Sequence, residues 1–99
     1  MNNFNFLSKT PKEIDKLIAA RIRNIRRRRK ISQKRLSEKS GVSLGSVKRF
    51  ESSGEISLIS LTKIAIALDL ENELEGLFEH VPFLSIEEII NVEDEKTES

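Results

Sequence analysis

Three serines set the frame of this chain. Ser32, Ser43 and Ser57 each stand directly before a short run whose apolar residues recur at helical spacing. A serine hydroxyl accepts a hydrogen bond from the amide groups that a helix's first turn leaves unpaired, so each position reads as an N-cap. Gly41 falls between the first two runs, where a residue without Cβ supplies a sharp turn at positive φ. The pattern predicts one helix over about 33–40, a turn, a second helix over about 44–52, and a third over about 58–68. Leu36, Val42, Val47 and Phe50 are the inward positions of the first pair, and Leu58, Leu61, Ile64, Ala65 and Leu68 those of the third.

Upstream, Thr10-Pro11-Lys12-Glu13 reads as a capping box with proline at the first helical position. Ile14, Leu17, Ile18, Ile22 and Ile25 follow at steps of three and four and predict a long helix to about Arg29. Downstream, Asp69 is an acceptable left-handed stop. A fifth helix is expected over about 72–79 with Leu74, Leu77 and Phe78 inward, ended by His80-Val81-Pro82. Ser85-Ile86-Glu87-Glu88 is a second capping box that starts a turn or two. Residues 91–99 are acidic and are expected to be disordered. No strand pattern and no internal repeat occurs. The expected fold is therefore all-α with five helices. An N-terminal arm covers residues 1–10 with Phe4, Phe6 and Leu7, a single domain covers 11–79, and an acidic tail covers 80–99.

Charge narrows the function. The net of +1 hides a split: residues 1–50 carry 15 Lys and Arg against three Asp and Glu, and residues 51–99 carry two against 13. The basic half suits phosphates. The acidic half suits solvent, a basic protein surface, or the exclusion of nucleic acid from the wrong face. Within the basic half, Arg26-Arg27-Arg28-Arg29-Lys30 is either a solvated helix end favoured by the dipole or a source of phosphate contacts. A helix cannot aim five consecutive residues at one partner, so about two contacts are the most it supplies.

Other chemistries find no support. There is no cysteine and a single histidine, His80, which leaves no metal constellation. The four glycines form no phosphate-cradling loop. Glu87 and Glu88 are adjacent and so face different directions. No nucleophile stands near a base. The expectation is a non-enzyme without cofactor. No apolar run reaches the roughly 18 residues of a membrane span, and MNNFNFLSKT lacks the basic and apolar regions of a secretory signal. A cytoplasmic chain is expected.

Two short helices meeting at a tight turn are what reading duplex DNA requires. A helix fits the major groove, and residues at its N-terminal end reach base edges. The stretch 32–54, SQKRLSEKSGVSLGSVKRFESSG, has that layout. It resembles the Cro/C1-type (XRE) helix-turn-helix repressors over about residues 17–68. The similarity rests on Ile22, Ile25, Arg26, Ile31-Ser32-Gln33, Leu36, Gly41-Val42-Ser43, Ser46, Arg49, Glu51 and Gly54. The resemblance implies a lambda-repressor-like domain that binds double-stranded DNA as a homodimer. Ser32, Gln33, Ser43, Leu44, Gly45, Ser46, Lys48 and Arg49 would lie at or near the DNA, with Gln33 holding a phosphate and bracing the recognition helix. It also implies a structural ion pair between Arg26 and Glu51.

Three residues depart from the usual pattern. Leu44 and Gly45 stand where many relatives carry Arg, Gln, Pro or Ser, which leaves hydrogen-bond readout mainly to Ser46 and Arg49. Lys30 stands where glycine is frequent. Residues 47–78 are also similar to small regulators encoded beside HipA-type kinases. That implies a second possibility, an antitoxin that neutralises a HipA-like kinase toxin and binds its own promoter. The apolar residues Phe83, Leu84, Ile86, Ile89 and Ile90 then either pack on the domain or dock a dimer mate or partner protein.

Overall fold

The computed structural model describes residues 8–98. Among them are six α-helices and no strand: α1 (Pro11–Arg28), α2 (Gln33–Ser40), α3 (Leu44–Ser53), α4 (Leu58–Ala67), α5 (Glu71–Glu75) and α6 (Ile86–Glu98). The all-α fold is as expected, with six helices in place of five. The arm residues Phe4, Phe6 and Leu7 lie outside the described residues.

The starts of the first four helices follow from local chemistry. The Thr10 hydroxyl accepts from the Glu13 amide at 3.1 Å, and the Glu13 carboxylate accepts from the Thr10 amide at 2.8 Å. The Ser32, Ser43 and Ser57 hydroxyls accept from the amides of Arg35, Ser46 and Ser60. Each satisfies one of the donors that a helix start leaves orphaned.

The ends of α1 and α4 share one device. Lys30 and Asp69 adopt φ of 59° and 58°. In α1 the Lys30 and Ile31 amides donate back to Arg27 and Arg26. In α4 the Asp69 and Leu70 amides donate back to Ile66 and Ala65. This is a Schellman closure, in which the residue after the left-handed position is commonly apolar and turned inward. Ile31 and Leu70 both pack against the core. Lys30 thus takes up a glycine-like backbone directly, without a change of turn. Gly41 closes α2 at φ 78°.

The core is Ala19, Leu36, Val42, Val47, Phe50, Ile64 and Leu68, with Ile22, Ile56 and Leu61 packed around it. Phe50 is its largest wholly buried side chain. Three inward assignments are corrected here. The α1 stripe is rotated: Ile14 and Ile18 are 45% and 38% exposed, while Ala19 and Arg26 are buried. The cause is the close approach of α1 to Gly54, where an added Cβ would come within 2.7 Å of the Asp15 carbonyl carbon. Only a glycine permits that approach to the Asp15 backbone, and Ala19, Ile22 and Arg26 (spaced i, i+3, i+7) then form the inner face. Leu58 is exposed because it opens α4 beside solvent, and the inner face begins at Leu61.

The fifth helix ends at Glu75. Leu74 is half-buried, but Leu77 and Phe78 are exposed, and Phe78 has φ 64°. That left-handed residue prevents the helix from running to 79. The tail is helical to Glu98, where disorder was expected. The Ser85 hydroxyl accepts from the Glu88 amide, and the Glu88 carboxylate accepts from the Leu84 amide, one residue before the reciprocal partner of a standard capping box. No other helix packs extensively on α6. The radius of gyration, 17.7 Å, exceeds the roughly 13 Å of a compact domain of this length.

Candidate nucleic-acid interface

The site is built from the turn outward. The Ser37 hydroxyl donates to the Val42 carbonyl at 2.6 Å, and the Ser40 hydroxyl accepts from the Val42 amide at 3.1 Å. These side chains satisfy backbone groups of the turn that helix bonds leave unused. Val42, Val47 and Phe50 then anchor the inner face of α3 in the core. The opposite face is left to solvent: Ser43, Gly45, Ser46, Lys48 and Arg49 are exposed and Leu44 is half-buried.

Gly45 has open space where a Cβ would stand. An outside surface can therefore come close to the α3 backbone there. The Ser43 hydroxyl is within 2.9 Å of the Ser46 hydroxyl besides capping the helix. Ser46 thus keeps donor and acceptor capacity at the solvent edge. Leu44 offers apolar surface of the kind that meets a thymine methyl.

Behind α3 lies a second cluster, which holds it in place. The buried Arg26 guanidinium donates to both Glu51 oxygens, through Nε at 2.7 Å and Nη2 at 2.9 Å, and through Nη1 to the Ile31 carbonyl at 2.7 Å. Gln33, the first residue of α2, donates its side-chain amide to Glu51 Oε1 at 2.9 Å. The Glu51 carboxylate therefore joins α1, α2 and α3. A bidentate, charge-assisted pair has a fixed plane, so it sets orientation as well as distance. Ser32, one residue before Gln33, is exposed at the N-terminal end of α2.

The basic run is divided by the fold. Arg26 is buried, and the Arg29 guanidinium donates to the Leu68 carbonyl at the end of α4, where a cation suits the helix dipole. Arg27 and Arg28 remain exposed on α1.

The structure also groups residues that the sequence did not. A cleft of about 260 Å³ between α3 and α4 is lined by Ser46, Arg49, Glu55, Ser57 and Ser60. The start of α4 is thereby a neighbour of Arg49. The Ser57 cap was legible, but its place beside Arg49 depends on how α4 packs, which local pattern does not encode. His80 is exposed and stands 3.6 Å from Glu79. Among the described residues no cluster of His, Asp or Glu is placed to hold a metal ion, and no helix is long and apolar enough to cross a membrane.

A capped helix pair joined by a tight turn, with the second helix braced from behind and polar in front, defines the helix-turn-helix class of DNA-binding domains. The sequence pattern of a helix-turn-helix family matches residues 22–71. The chain belongs to this family, the Cro/C1-type helix-turn-helix DNA-binding transcription regulators. No curated protein and no solved structure matches the chain significantly.

Proposed function

We propose that the chain is a cytoplasmic transcriptional repressor that binds a palindromic operator as a homodimer. It reads bases with Ser43, Leu44, Gly45, Ser46, Lys48 and Arg49, and it touches the phosphate backbone through Ser32 and Gln33. One observation carries this reading: α3 presents an open polar face around Gly45 while the Arg26–Glu51–Gln33 cluster bonds it from behind to α1 and α2. Base readout requires a helix whose position does not wander, since a hydrogen bond fails beyond a few tenths of an ångström. One α3 reaches only a few base pairs. Two held about 34 Å apart, one turn of DNA, read a half-site each and raise specificity.

The test is selection from a pool of random duplexes at about 150 mM salt, for wild type and Arg49→Ala. The expected result is a palindromic motif in which Arg49→Ala relaxes particular positions. Enrichment of no motif, or identical motifs from both proteins, contradicts the assignment of α3 as the reading helix.

A second reading rests on the acidic C-terminal segment and its exposed Phe83, Leu84, Ile86 and Ile90. In it the chain is an antitoxin that captures a HipA-like kinase and represses its own promoter. Deleting residues 81–99 then abolishes kinase capture and spares DNA binding; a kinase captured equally well without them contradicts it.

A further inference from the structure

Two apolar surfaces of the described chain lack a cover, and their charges are opposite. The first is the C-terminal arm. Leu77, Phe78, Val81 and Leu84 are more than half exposed, and they lead into α6, where Ile86, Ile89 and Ile90 fall on one face at i, i+3 and i+4. The second is a groove on the body. Ile18 and the acid Asp15 of α1 border it with Ile56, Leu58 and Leu61, and its volume is about 190 Å³. That is below the roughly 300–1,000 Å³ of a small-molecule pocket, and it suits an inserted side chain. Ile14 and Leu17 continue the groove's apolar bank along α1 at helical spacing, with Arg21 next in the row.

We propose that α6 of one copy packs across α1 and the start of α4 of a second copy, in a two-fold exchange that fills both grooves. Charge selects this pairing. Helix α1 shows six exposed Lys and Arg against two acids, Arg26 being buried in its pair with Glu51, and α6 carries six acids against one Lys. Pairing α6 with α6 sets like charges against each other, whereas α6 against α1 sets an acidic helix against a basic one. The solvent face of α3 is polar apart from Leu44, too little apolar surface to receive the Ile86–Ile89–Ile90 face, so it stays free for DNA. Size agrees as well. Residues 77–98 and the receiving groove, each used by both copies, supply the roughly 20–30 residues a side of a standard interface. A closed two-fold exchange buries every arm and leaves no open end to polymerise. This arrangement rests on the homodimeric reading above and specifies its contacts.

The experiment is sedimentation equilibrium of the full chain at several concentrations, with Leu58→Asp in the groove and Ile90→Gln in the arm. Both folds should survive, since Asp suits the first turn of α4 and Gln is a good helix former; circular dichroism melts check this. Each variant alone is expected to weaken the dimer by roughly tenfold or more. An equimolar mixture should dimerise better than either variant, because one intact arm meets one intact groove. A wild-type dimer that resists Leu58→Asp, or a mixture no better than its components, overturns the exchange and leaves the homodimer standing. A wild type that stays monomeric at every concentration, operator DNA included, overturns the homodimeric reading itself.

Discussion

Replacing Glu51 with alanine is the sharpest test of how α3 is held. Arg26 and Glu51 side chains retain only 10% and 3% of their surface. Removing Glu51 strips Arg26 of two of its three hydrogen bonds and leaves a buried guanidinium with the Ile31 carbonyl alone. Gln33 loses its partner too. Breaking a buried pair from one side costs about 3–5 kcal/mol, because the remaining charge stays desolvated. A chain of this size holds about 5–15 kcal/mol in all. At about 4–8 °C per kcal/mol, the midpoint of thermal unfolding should fall by on the order of 20 °C.

The molecule carries its own control. Arg35 and Glu38 stand 3.6 Å apart with most of their surface in water, and Glu38→Ala should cost no more than about 1 kcal/mol. Urea unfolding of wild type, both alanine variants and the pair Arg26→Met with Glu51→Leu gives the comparison. The apolar double variant should lose much less than its two single changes summed, since no charge is left unpaired. High salt should leave the Glu51→Ala deficit in place, because a buried pair is poorly screened. If Glu51→Ala proves as mild as Glu38→Ala, or if the double change is additive, the cluster does not hold the helices together.

Three further outcomes are expected. Gly54→Ala and Gly41→Ala both place a Cβ at positive φ, which costs about 1–2 kcal/mol. At Gly54 it also meets the Asp15 backbone at 2.7 Å, while at Gly41 nothing lies within 4 Å, so urea midpoints should fall clearly further for Gly54→Ala. Hydrogen bonds from the Thr10 amide and hydroxyl hold the Glu13 carboxyl below its ordinary 4.5. A depressed carboxyl stabilises the start of α1 above its unfolded value and releases it as pH falls through the folded one. The Thr10 amide resonance should therefore shift with a midpoint below 4.5, and the Glu13 carboxyl itself should titrate at a higher pH in a Thr10→Ala protein than in wild type. In DNA titrations, Lys48→Ala should lower the slope of log affinity against log salt by about 0.9 if Lys48 neutralises one phosphate; an unchanged slope removes it from the backbone contacts.

The reach of the sequence follows from how far each interaction extends along the chain. Caps act across three residues, and Thr10, Ser32, Ser43 and Ser57 gave the starts of α1 to α4 without error. The left-handed stop at Asp69 and the inward Leu36, Val47 and Phe50 were legible for the same reason. The rotation of α1 was not, because its apolar stripe competes with two contacts made far along the chain. Gly54 accepts the Asp15 backbone, and Glu51 binds Arg26, so a helix with isoleucines to bury presents Ala19 and an arginine inward instead. Apolar periodicity reports which face prefers burial; these partners decide which face receives it.

The same limit separates the two halves of the interface. That Ser43, Ser46 and Arg49 share a solvent face follows from helical spacing alone. That Gln33 turns its amide to Glu51, and that Ser57 and Ser60 border Arg49, depends on packing between helices. Composition misled at the C-terminus for a related reason. A net acidic segment with few aromatics reads as disordered, yet glutamate is a good helix former and Ser85 supplies a start. Helix α6 then forms with its isoleucines on one side and, among the described residues, no other helix packed extensively beneath them. A lone helix of that length is marginal in water, so its persistence in solution should depend on what covers that face, and α6 helicity should rise with protein concentration if the cover is a second copy.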